Sequence, residues 1–183
     1  MTFLGLLALT LFLFKEVAFE GRVLFERDIH LVWYPYGAAI RHALATGSWP
    51  FWNNFISFGQ PLWANPAAEI LYPFTWLSVF MDPAGAYVFF VLFHVVFSGT
   101  GLALFAHRLG LSRSASFLSA ALWIVSGPFL SMVDLWHHFA GVAWIPWILL
   151  ATDRALERPS PRRTLLWGAA IAAQVLAGSA DVC

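Results

Sequence analysis

From Ala84 to Ala106 the chain carries no Asp, Glu, Lys or Arg, and only His94 breaks the apolar run. A helix that crosses a bilayer needs about 20 mostly apolar residues, and this run meets that length. Composition extends the argument to the whole chain. Hydrophobic residues make up 60% of it and charged residues 11%, whereas soluble domains carry about 25% charge. Ten acidic and ten basic side chains are too few to coat a water-facing surface. Lipid is therefore the expected solvent.

The same pattern recurs along the sequence, separated by charged or Pro-rich breaks. It predicts an all-α, polytopic membrane protein of about five spans, at residues 3–19, 84–106, 114–133, 136–152 and 164–179, with a long, partly helical external loop at 20–83. The opening segment lacks the basic flank and small-residue cleavage site of a signal peptide, so it reads as a first span with its N-terminus inside. The loops at 107–113 and 153–163 then face the cytoplasm and hold Arg108, Arg113, Arg154, Arg158, Arg162 and Arg163, as the positive-inside rule requires. Glu20, Glu26, Asp28, Glu69, Asp82, Asp134 and Asp181 fall on the other face, where chemistry is to be sought. The formal net charge of zero gives no basic field for nucleic acid. The single cysteine, Cys183, excludes an intrachain disulfide framework.

The external loop is longer than ordinary connections, which marks it as a functional segment. Ile29, Trp33, Tyr36, Ile40 and Leu44 recur at helical spacing and predict an amphipathic helix lying on the membrane surface. Pro35 opens or kinks it. Beyond Gly47 the loop is punctuated by Pro, Gly and Asn, the composition of a specified irregular structure. Its tryptophans fit an interfacial belt. They also fit a stacking platform for sugar rings, with Asn53, Asn54, Gln60 and Asn65 supplying amides for hydroxyl recognition.

Several runs in this region carry a resemblance: Arg27-Asp28-Ile29, Tyr34-Pro35-Tyr36, Gly47-Ser48-Trp49-Pro50-Phe51-Trp52-Asn53, Phe58-Gly59-Gln60-Pro61-Leu62, Ala64-Asn65-Pro66 and Tyr72-Pro73-Phe74. Together they resemble the first external loop of bacterial YfhO-type membrane proteins, which are similar to the C-superfamily (GT-C) glycosyltransferases. His94, Gly99, Gly101, Trp144-Ile145-Pro146-Trp147 and Ala177-Gly178-Ser179 extend the resemblance over nearly the whole chain. Family members are several times longer, which makes this chain an N-terminal fragment.

The resemblance implies transfer of a sugar from a polyprenyl-phosphate donor to an envelope glycan or lipid acceptor, outside the bacterial cytoplasmic membrane. It implies Asp28 as the catalytic carboxylate, with Glu26 as the rival. Arg27 suits the donor phosphate, and Tyr34, Trp52, Asn53, Gln60, Asn65 and Glu69 are the expected substrate contacts. Asp181 is a partial match to a later polar motif. Asp134 and His138, four apart, share a helix face if helix continues through both, and with His137 offer ligands for a divalent cation. Against this, adjacent histidines point about 100° apart on a helix, and no third ligand is spaced as a zinc site requires. His94 suits either a substrate contact or a neutral packing role. Phosphate-loop, dinucleotide, zincin and nucleophile-elbow motifs are absent. The competing class is a non-enzymatic lipid transporter or scaffold that uses the aromatic loop as an interfacial anchor.

Overall fold

The chain's helices are capped where short polar residues precede proline or arginine. In the computed structural model, which describes residues 2–178, Asp82 accepts hydrogen bonds from Gly85 N at 2.9 and 3.1 Å and opens α5, Pro83–Arg108. Ser112 and Ser160 do the same for α6, Arg113–Ile124, and α9, Pro161–Leu176. Each side chain satisfies one of the N–H groups that a helix start leaves unpaired. The other helices are α1 (Thr2–Leu13), α2 (Lys15–Phe19), α3 (Tyr34–Ala45), α4 (Leu77–Phe80), α7 (Gly127–Leu130) and α8 (Trp136–Glu157). The fold is all-α apart from one two-residue antiparallel pair, β1 (Trp52–Asn53) with β2 (Gln60–Pro61).

Helix α5 is the axis of the bundle, packed against α1, α6 and α8, and α8 in turn carries α9. Small residues set these approaches. A Cβ at Gly101 would meet the indole of Trp147 on α8 at 2.7 Å, and one at Gly99 would meet Ile124 of α6 at 2.9 Å. Glycine therefore lets α5 sit close to both neighbours, as small residues do between membrane helices.

By length and composition α5 and α8 are the two described helices able to cross a membrane. Their 26 and 22 residues span about 39 and 33 Å, against roughly 30 Å of hydrocarbon. The other expected spans are interrupted. The first breaks at Phe14, where Lys15 and Glu16 begin a separate short helix. The segment 114–133 stops as a helix at Ile124, because Gly127-Pro128 cannot continue it, and resumes as the short α7. Helix α9 covers 16 residues and α1 covers 12.

The external loop is folded onto the bundle. Ile29–Trp33 form a π-helical turn that runs into α3, with Pro35 in the first turn, where its missing N–H costs nothing. Ile29, Trp33 and Ile40 are buried within the protein, and Tyr36 and Leu44 are half-buried. The stripe predicted to lie on the membrane surface faces protein instead, because the rest of the loop and α5 cover it. Trp33 packs edge-on to Tyr87 of α5, with centroids 4.9 Å apart.

A buried chain of hydrogen bonds ties the loop to the spans. Trp144 Nε1 of α8 donates to the Tyr72 hydroxyl at 3.1 Å, and Tyr72 lies 2.6 Å from His94 Nε2. His94 Nδ1 sits 2.7 Å from the Phe90 carbonyl, which only accepts, so Nδ1 carries the proton and Nε2 accepts from Tyr72. The buried His94 is thus a packing group joined to the loop. Replacing Tyr72 with Phe leaves Nε2 and the Trp144 N–H without partners and is expected to cost about 1–3 kcal/mol. Thermal unfolding in detergent measures it, with Gly168→Ala as the reference, since a Cβ there meets nothing within 4 Å.

Candidate functional site

Acidic and basic groups from distant parts of the sequence gather at the end of the bundle where α5 and α8 begin. The turn Glu26-Arg27-Asp28 lies beside Asp134, in the turn before α8. The Asp134 carboxyl is half-buried, and burial first, then the charge of Glu26, push its pKa up. Arg27 pulls it down and Asp28 raises it again. Glu26 and Arg27 are exposed and Asp28 is half-buried at the start of the π-turn. Arg27 holds a left-handed backbone, φ 53°, a conformation that a long side chain adopts only under constraint.

Beneath this group lies Glu69. It ends the 3-10 turn Pro66–Ala68, also with left-handed backbone, φ 51°, and its side chain is 3% exposed. Thr75 Oγ1 donates to its Oε2 at 3.4 Å, while Oε1 has no hydrogen-bond partner among the described residues. Burial pushes its pKa well above the ordinary 4.5, and the Thr75 hydrogen bond lowers it by less. Gly178, just after α9, closes over it. A Cβ there would meet Pro66 O at 2.6 Å, His137 Cβ at 3.1 Å and Glu69 Cγ at 3.3 Å, so only glycine fits. Trp136 Nε1 donates to Ala67 O at 2.9 Å and Tyr87 to Val133 O at 2.5 Å, which hold the same corner together.

The remaining predicted contacts are mostly engaged inside the protein. Tyr34 donates its hydroxyl to Leu24 O at 2.5 Å, and burial, then Asp82, raise its pKa. Asn53 is 2% exposed and accepts from Phe55 N at 2.9 Å. Asn65 accepts from Ala67 N at 3.0 Å and donates to Tyr36 at 2.8 Å. These two amides hold turns, as Asn does in such loops. Gln60 and Trp52 are exposed on the β1–β2 pair, where Trp52 covers Gly59. Trp49, Phe51, Trp63 and Trp76 form an aromatic cluster beside it, with centroids 5.4 to 5.7 Å apart.

Asp134 and His138 do not share a helix face, because α8 starts at Trp136 and leaves Asp134 in the preceding turn. His138 lies against His137, with rings 4.1 Å apart. Among the described residues no three His, Cys, Asp or Glu side chains are grouped as a metal site would need. Asp181 lies outside the described residues. Two participants escaped the sequence reading. Tyr72 was visible only as part of a Tyr-Pro-Phe run, and Gly178 only as a small residue after a span. Their signal is positional, since each supports a close approach between segments far apart in sequence.

A shallow cleft of about 470 Å3, lined by His30, Tyr34, Pro35, Ala38, Asp82 and Pro83, opens at this end of the molecule. No family model, curated protein or solved structure matches the chain.

The burial of Glu69, which raises its pKa, has a measurable consequence. Its folded pKa exceeds the unfolded one, so the folded state holds a proton that the unfolded chain has lost. Stability from this group is complete below about pH 4.5 and falls by about 1.4 kcal/mol per pH unit above it, up to the folded pKa. Glu69→Gln removes the titration. The variant's melting temperature is expected to exceed the wild type's at pH 8, and the gap to close as pH falls to 5.

Proposed function

We propose that this chain is the N-terminal part of a polytopic membrane glycosyltransferase of the YfhO-type, GT-C-like class, which transfers a sugar from a polyprenyl-phosphate donor to an envelope glycan or lipid acceptor. In this reading the chain crosses the bacterial cytoplasmic membrane about five times. Helices α1 with α2, and α6 with α7, make broken crossings beside α5, α8 and α9. The long loop and the Asp28 end face outward, and the arginine-bearing loops face the cytoplasm.

One observation carries the reading: the turn Glu26-Arg27-Asp28, which follows the first helical segment, lies beside Asp134 at a single end of the bundle. An inverting transfer needs these groups. Asp28, as carboxylate, accepts the proton of the acceptor hydroxyl as that oxygen bonds to the anomeric carbon. The bond from that carbon to the lipid phosphate breaks, and the phosphate leaves with the electron pair, its charge met by Arg27. Gln60 and Trp52, exposed on the hairpin, are the loop groups left to meet a sugar.

The second reading, a lipid scaffold or transporter without enzymatic activity, draws on a different observation. Asn53 and Asn65 are engaged internally, while Phe55 and Phe58 stand exposed at the hairpin, as an interfacial anchor would have them. Labelled-sugar incorporation by membranes carrying the full protein separates the two. Asp28→Asn is expected to lower the rate by about 100-fold or more, with protein level unchanged. An undiminished rate in that variant would sink the enzyme reading.

Sidedness is tested on its own. In a Cys183→Ser background, Ser57→Cys is expected to react with a membrane-impermeant maleimide in intact cells. Ser114→Cys is expected to react only after the membrane is opened.

A further inference from the structure

The end of the bundle opposite Asp28 holds a second concave feature that no part of the transfer chemistry uses. There the start of α1, the end of α5 and the start of α6 enclose a cleft of about 770 Å3. Its walls include Phe3, Leu104 and Phe117, and its rim carries His107 and Arg113. Gly5 makes room for Phe117, whose ring a Cβ at that position would meet at 2.8 Å. A second apolar feature adjoins the cleft. Phe3 and Thr100 also line an apolar groove of about 440 Å3, which climbs the α1–α5 face past Leu7 and Leu11 to Phe89. From His107 to Phe89 the two volumes run about 27 Å along α5, by the rise of a helix, close to the hydrocarbon thickness of a bilayer.

Charge separates this rim from the rest of its face. Arg108 is neutralised by Asp153 at 2.7 Å and by Glu157. Arg113 has no acidic partner among the described residues, and neither cleft nor groove is lined by a carboxylate. His107 Nδ1 lies 3.0 Å from the Leu111 carbonyl, which only accepts, so that nitrogen carries the proton. Nε2 of the exposed ring is left to meet a ligand. A cation, an exposed ring nitrogen and an apolar groove thus lie next to one another.

We propose that this path is a binding site for one anionic phospholipid with a hydroxylated headgroup, taken from the leaflet at this end of the bundle. Arg113 holds the phosphate, His107 Nε2 accepts from a headgroup hydroxyl, and an acyl chain enters the groove past Phe3 and Thr100. Charge complementarity selects the headgroup and groove length accommodates the tail. The proposal rests on the membrane-embedded part of the reading above, where this leaflet is the cytoplasmic one, and is independent of sugar transfer.

The test is lipid binding to the purified full protein in neutral detergent, followed by native mass spectrometry with dioleoyl phosphatidylglycerol or dioleoyl phosphatidylcholine. The wild type is expected to bind phosphatidylglycerol at least tenfold more tightly. Arg113→Gln is expected to lose that preference. So is Leu104→Trp, which fills the exposed cleft and leaves the charge unchanged. Arg162→Gln removes an exposed arginine outside the cleft and is expected to keep the preference. Equal binding of the two lipids, or equal losses in Arg113→Gln and Arg162→Gln, would overturn the proposal. So would competition by soluble glycerol phosphate at the lipid's own concentration, which would mark a free-phosphate site. Alkaline carbonate extraction separates the two levels. A chain that washes out refutes the membrane reading itself, whereas one that stays embedded but shows no lipid preference refutes only the lipid site.

Discussion

The buried hydrogen-bond chain from Trp144 through Tyr72 and His94 to the Phe90 carbonyl is the constraint on which the arrangement of loop and spans depends. Each group in it has a fixed role. Trp144 only donates, the Phe90 carbonyl only accepts, and Tyr72 and His94 each do both. In an interior of low dielectric an unmade bond is costly, so the four groups are held in one register. That register draws the loop at Tyr72 down against α5 and α8. Trp136 and Tyr87 reinforce it by donating to Ala67 and Val133, so spans and loop share one core.

This anchoring decides what is left for chemistry. Several polar side chains in the loop satisfy the loop's own backbone, as Asn53 and Asn65 do, since an irregular segment has no ladder of hydrogen bonds to rely on. What remains is Glu26, Arg27, Asp28 and Asp134 at the surface of the bundle end, with Glu69 buried below them. Two of these, Arg27 and Glu69, hold left-handed backbone. Such conformations persist where the surroundings over-determine them, and Gly178, which leaves no space above Glu69, belongs to those surroundings.

The opposite end is built on another rule. Among its basic residues, Arg108 is paired with two carboxylates of α8, whereas Arg113 lines an apolar cleft. A uniform positive face by sequence is therefore two surfaces in three dimensions, one internally neutral and one open to an anion.

By itself the amino-acid sequence determined the all-α class, the apolar length of α5 and α8, and the separation of acidic from basic residues. Each follows from local periodicity and charge, which a chain displays along its own length. It also marked the external loop as an ordered segment, through its Pro, Gly and Asn. Only the tertiary structure decided that the amphipathic stripe of Ile29, Trp33 and Ile40 faces protein, because what covers a stripe is a distant segment. The same holds for Asp134, whose apparent helix partner His138 is lost when α8 begins two residues later, while its electrostatic neighbours lie at 26–28. The closure of Gly178 over Glu69 likewise joins residues more than a hundred positions apart. Periodicity reports which face of an element is apolar. Packing decides what that face meets.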